Sequence, residues 1–126
     1  MESSRRPFII VVFQDIDHIR EIKNQICYGI EEEGMEFQEF IMEEEKEFDS
    51  SAIFYYANQS IIGISIGIGS KEIIVHYNKM DKDKPVFIHE LDKFHTNMDK
   101  EMFINIGKNA ARLAKNKAFI DMNKTY

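Results

Sequence analysis

The stretch PFIIVVF, residues 7–13, constrains the fold more than any other part of the chain. It is apolar at every position and rich in β-branched residues, which suits a strand. It lacks the in-and-out alternation of a strand with one wet face, so both of its faces must be covered. It is far too short to cross a bilayer as a helix. A secretory leader has to be considered, because MESSRR places basic residues ahead of the apolar run. The run is brief, however, no small-residue cleavage site follows it, and FQDID comes next, so a buried first strand is the better reading. A chain of 126 residues, 44% hydrophobic and 30% charged, is sized for one domain spanning residues 1–126 around one core.

The next segment, DHIREIKNQICYGIEEEG, changes period. Ile19, Ile22, Ile26 and Ile30 recur at three and four, which makes one apolar stripe on a helix. Asp15 or Asp17 is placed to cap it, and Gly34 to end it in the left-handed conformation. MEFQEFIM, residues 35–42, reads as a second strand, and a charged run leads into a short helix over about residues 50–59. In IIGISIGIGSKEIIVHY, two β-branched runs flank Gly69-Ser70, the pattern of a hairpin. PVFIHEL supplies a further strand. A last helix over about residues 99–117 carries Met102, Phe103, Ile106, Ala110 and Leu113 on one stripe. The order β-α-β-α-β-β-β-α predicts an α/β sandwich with a mixed, mainly parallel sheet of about five strands.

Net charge is −6, which disfavours nucleic acid or an anionic membrane as partner and favours a basic protein surface or a cation. Cys27 is the lone cysteine, so no internal disulfide can form, and a cytoplasmic protein is expected. Cys27 lies at the flank of the first helix's stripe and reads as a half-buried, inert thiol. Gly63, Gly67 and Gly69 do not make a phosphate loop, because a strand rather than a helix follows them. With no lysine-bearing nucleotide motif either, ATP turnover by this chain is not expected. His18, His76, His89 and His95 show no zinc-ligand spacing, and structural or solvated roles are the ordinary reading. Gly107, followed by Ala110, Ala111 and Ala114, makes the last helix slim enough for close approach to the sheet or to another helix; packing on the sheet is the commoner arrangement.

One feature defies local electrostatics. Glu31, Glu32 and Glu33 sit at a helix C-terminus, where unpaired carbonyls already carry negative charge. Taking about 100° per residue from Ile26, Glu33 returns to the buried edge near 340°, whereas Tyr28 and Glu32 fall near 200° and 240°. Tyr28 and Glu32 therefore stack one turn apart, away from the core. A solvated helix end is the bland explanation. The functional one is that carboxylates beside an exposed aromatic await a cation or a basic partner.

Three stretches, GIEEEGMEF, IIGISIGIGSKEIIVHY and INIGKNAARLAK, occur in an order and at separations that resemble one family. They look like the small subunit of the reactivating factor of coenzyme B12-dependent diol and glycerol dehydratases, a family related to the medium subunit of the dehydratases. The resemblance covers residues 8 to about 119. The chain departs from the family pattern at Met35-Glu36, at Lys108 and at Ile104. The resemblance implies a three-layer α/β/α domain akin to anticodon-binding domains, and a subunit without catalytic activity. Its expected partner is a large chaperone-like ATPase subunit, in a complex holding two copies of each chain. Exchange with dehydratase subunits would then let damaged cobalamin leave the inactivated enzyme. The motif alignment puts on Glu32 a ligand role toward a divalent cation, Mg2+, held mainly by the large subunit, and makes Tyr28, Glu31 and Glu33 candidates for the same interface. No cofactor is expected on the isolated chain, whose state as monomer or homodimer the sequence leaves open. The resemblance also admits a bacterial microcompartment as a setting within the cytoplasm.

Two other functions compete. One is a medium-type subunit inside a dehydratase; the other is a stand-alone small-molecule or signalling domain. A phospho-receiver needs an aspartate closing a strand, and PVFIHEL ends in none.

Overall fold

The apolar run after Pro7 forms β1 (Phe8–Gln14), an interior strand of a five-stranded sheet. The computed structural model describes residues 7–43, 46–91 and 99–121. After β1 come α1 (Asp17–Glu32), β2 (Glu36–Met42), α2 (Ser50–Ala57), β3 (Ile64–Ile68), β4 (Glu72–Tyr77), β5 (Phe87–Glu90) and α3 (Asp99–Ala114). The strands lie in the order β2-β1-β3-β4-β5. β1 is parallel to both β2 and β3, while β4 is antiparallel to both β3 and β5. Only β4 runs against the other four, so the expected mixed and mainly parallel α/β sheet is what forms.

β1 is buried on both sides because helices cover both. Ile9, Val11 and Phe13 join a large core with Ile19, Ile22, Ile26 and Ile30 of α1 and with Phe103, Ile106 and Ala110 of α3. Val12 points the other way, into a smaller core with Met42, Ile53 of α2 and Ile74. β3 needs no alternation either, and all five of its residues are buried. Its Ser65 satisfies its hydroxyl by donating to the Ile53 carbonyl at 2.7 Å.

Local chemistry explains most boundaries. Gly34, at φ 76°, ends α1: its N–H reaches the Glu31 carbonyl and the Met35 N–H reaches that of Ile30, the paired closure of a Schellman motif. The N-terminal expectation needs correcting. The cap is Ile16, with no side-chain bond, because both Asp15 and Asp17 are drawn to Arg20. α2 has a true cap, Asp49 accepting from the Ala52 N–H at 2.8 Å. The hairpin forms in the predicted antiparallel sense, but its register, Ile68 opposite Ile73, centres the turn on Ser70-Lys71. Gly69 instead lies flat against the Phe48 ring. α3 ends at Ala114 rather than near residue 117, where Asn116 turns to φ 58°.

Candidate interaction site at the end of the first helix

α1 and α3 lie side by side on one face of the sheet and touch through two glycines. A Cβ on Gly29 would stand 2.0 Å from the Ile104 carbonyl oxygen, and one on Gly107 would stand 1.9 Å from that of Ile26. The contact is reciprocal: each helix presses its bare Cα against the other's backbone. The slimness of α3 therefore serves a helix–helix crossing, not the sheet packing that sequence alone favoured. It also joins two of the three stretches that carried the resemblance.

That crossing delivers the basic side of α3 to the acidic end of α1. Arg112 Nε lies 3.0 Å from Glu33 Oε2, and Lys115 Nζ lies 3.1 Å from Glu33 Oε1. Lys115 also donates to the Glu33 carbonyl, meeting the negative end of the helix directly. The Lys115 hydrogen bond first, and the Arg112 bond after it, hold the Glu33 carboxyl below the usual carboxylate range, against desolvation that works the other way. Glu33 thus returns to the protein side of the helix, as its wheel position requires. Although expected at a partner interface, it is taken up inside the chain.

The other members stay outward. Tyr28 is 52% exposed, and Glu31 and Glu32 are exposed beside it. Lys108, a departure from the family pattern, stands 4.0 Å from Glu32 Oε1, at the limit of an ion pair and worth little at a surface. Lys108, Arg112 and Lys115 were missed as partners for the glutamates. Their i, i+4, i+7 spacing marks a single helical stripe and was the available signal.

Of the remaining candidates, Cys27, His76 and His89 are taken up in packing. Cys27 is buried, and burial first, with Glu39 adding to it, pushes its thiol up to about 12. His76 is fully buried, bonded through Nε2 to the Lys82 carbonyl at 3.0 Å and accepting at Nδ1 from the Tyr77 N–H at 2.9 Å. His89 lies against Phe87 and Phe103, His18 is exposed, and His95 lies outside the described residues. A cleft of about 420 Å³ opens between β4, α3 and the chain after it, walled by Val75, Val86, Phe87 and Leu113. Its Asn109 is already committed to both backbone groups of Ile120. Among the described residues, no group of three or more His, Cys, Asp or Glu is arranged to hold a metal, and no helix is long and apolar enough to cross a membrane.

The structure is thus a mixed α/β layered domain that presents an aromatic and two carboxylates at the end of its first helix. The chain belongs to the dehydratase medium subunit family, whose model matches residues 6–120. Two solved structures share its fold. One is a diol dehydratase-reactivating factor complexed with ADP and Mg2+, with TM-score 0.75 and 24% identity over 92% of this chain and 98% of that one. The other is a glycerol dehydratase reactivase, with TM-score 0.79 and 20% identity over 93% of this chain and 99% of that one. No curated protein matches the chain.

Proposed function

We propose that this chain is the non-catalytic small subunit of a chaperone-like, ATP-dependent factor that reactivates diol or glycerol dehydratase. In this reading it binds a large ATPase subunit, trades places with a dehydratase subunit, and so allows damaged cobalamin to leave. The observation that carries the reading is the family match over residues 6–120, and the end-to-end likeness to two reactivase chains supports it. The α1 end is the docking surface. Tyr28 contributes aromatic area, and Glu31 and Glu32 offer carboxylates to the partner. The donor set fits one ligand position rather than a whole metal site, so Mg2+ would take Glu32 as a single ligand and most of its others from the large subunit. Lys108 lies close enough to Glu32 that it must swing aside for this.

The test is titration of the chain against the large ATPase subunit, in magnesium and then in chelator. Glu32→Ala should weaken binding by about 2–5 kcal/mol, the usual cost of orphaning a buried charged contact, and Tyr28→Ala should weaken it through lost aromatic area. Equal affinity of wild type and Glu32→Ala in magnesium would refute the metal role. A second reading, a medium-type subunit within a dehydratase, is favoured by the description of the family itself. Offering the chain the remaining dehydratase subunits alongside the ATPase subunit separates the two.

A further inference from the structure

The stripe Ile106, Ala110 and Leu113 of α3 faces β4 and the start of β5 but does not close on them. A cleft of about 420 Å³ is left between, with Val75 and Phe87 on the sheet side and Phe119 and Ile120 on the side of the chain that follows α3. Hydrogen bonds hold that outer wall in place. Asn109 donates to the Ile120 carbonyl at 3.1 Å and accepts from the Ile120 N–H at 2.6 Å, and Arg112 donates to the Ala118 carbonyl at 3.3 Å. The chain after α3 is therefore pinned by its backbone, and its apolar side chains do not collapse into the space. Phe119 lines the cleft yet is 52% exposed. A large ring at the mouth of an apolar cleft leaves two apolar surfaces wet, and one ligand would cover both.

The lining selects the ligand. Among the described residues no lysine, arginine or histidine lines the cleft, so nothing there answers an anion. Asn109 spends its amide on Ile120, and Asp121, the one charged lining group, is already engaged. What is left to offer is aliphatic surface and the rings of Phe87 and Phe119, which pack well on another ring. An apolar cavity of about 150 Å³ is enough to hold benzene, so this cleft has room for roughly two or three rings. We infer that the cleft is a binding site for an uncharged, ring-bearing apolar small molecule. It shares no lining residue with the α1 docking surface, and the inference does not rest on the proposed function.

The test uses two fluorescent probes. N-phenylnaphthylamine is neutral and brightens in apolar surroundings; anilinonaphthalene sulfonate has the same rings and an added negative charge. Titrating the full chain into the neutral dye should give one site with a dissociation constant below about 0.3 mM, the range expected for a ligand of that size. The sulfonate should bind at least about fivefold more weakly, because no cation meets it. Methyl resonances of Val75, Val86 and Leu113 should shift, while those of Val12 and Ile53 in the smaller core stay in place. Phe119→Ser, at an exposed ring, should leave the circular dichroism unchanged and weaken the neutral dye at least about fivefold. Val86→Trp, which fills the cleft, should weaken it about tenfold or more. No binding, equal binding of the sulfonate, methyl shifts confined to the smaller core, or unchanged binding by a folded variant overturns the inference. So does a marked gain in affinity on deleting residues 122–126, which would make those residues the occupant. Dimerisation that the dye reverses overturns it too, by making a second copy the occupant.

Discussion

Gly107→Ala tests the crossing on which the site depends. By helix propensity alone, the change should stabilise α3 by about 1 kcal/mol, since alanine is the better helix former. The contact geometry says the opposite. The new Cβ would lie 1.9 Å from the Ile26 carbonyl oxygen, with the Ile30 N–H nitrogen also only 3.1 Å away. Both neighbours are helix backbone and have no rotamer to yield, so α1 and α3 must part by about 1.5 Å to reach ordinary contact. Overpacking of this kind costs about 1–3 kcal/mol, and more where nothing can relax. The propensity gain does not cancel that, and a net loss of roughly 2 kcal/mol or more is expected. Urea unfolding with a fitted m-value measures it. Gly29→Ala should cost a similar amount, and the double variant should cost less than the sum, because one separation accommodates both methyls. Gly34→Ala, where nothing lies within 4 Å but φ is 76°, isolates backbone strain at about 1–2 kcal/mol. If Gly107→Ala proves as stable as wild type or more so, the close crossing does not exist and the account of Glu33 fails with it.

Glu33→Gln should cost about 1 kcal/mol near neutral pH, since its ion pairs are partly exposed. Its carboxyl is held below the ordinary 4.5, so that stability is fully present above 4.5 and is lost as pH falls through the lower folded-state value. Urea unfolding between neutral and acid pH should show wild type converging on Glu33→Gln; a constant gap between the two would contradict the pairing. His76→Ala strands the Tyr77 N–H and opens space beside Phe54, so a loss of about 2–3 kcal/mol is expected by thermal melting. Cys27, buried and with its thiol pushed up to about 12, should resist a thiol-reactive dye at mildly alkaline pH until urea is added; prompt labelling of the native chain would show that α1 packs otherwise.

The sheet was legible because its signals are local and redundant. A run with no polar position demanded cover on both faces, and Gly34 had one economical use. What stayed illegible depends on which elements meet. Nothing in Gly29 or Gly107 taken singly says that each faces the other's backbone, and a slim helix suits a sheet as well as a helix. The missing cap on α1 illustrates the same limit. Asp15 and Asp17 are both good capping residues, yet Arg20 one turn later offers them a charge rather than a backbone N–H. At the acidic end of α1, the wheel angle placed Glu33 toward the protein, but the cations that meet it lie about eighty positions further along the chain.

The three consecutive glutamates therefore do not share one cause. Successive residues on a helix turn by about 100°, so a run of identical side chains is dealt onto different surfaces. Glu33 meets the basic stripe of α3, and Lys115 spans both its carboxylate and the carbonyl at the helix end. The unfavourable helix-end electrostatics are thereby answered within the chain at one position. Among the described residues Glu31 and Glu32 receive no comparable support; the Lys108 contact to Glu32, at 4.0 Å, is too long to offset the helix dipole. Their cost remains in this chain and, on the function proposed above, is what a cation or basic side chain brought to Tyr28 would relieve. The glycine crossing fixes this division. It sets the depth at which α3 lies against α1, and so decides that Arg112 and Lys115 reach Glu33 while the carboxylates before it face outward. A substitution at Gly29 or Gly107 should therefore disturb a partner that docks on Glu32, although neither glycine need touch it.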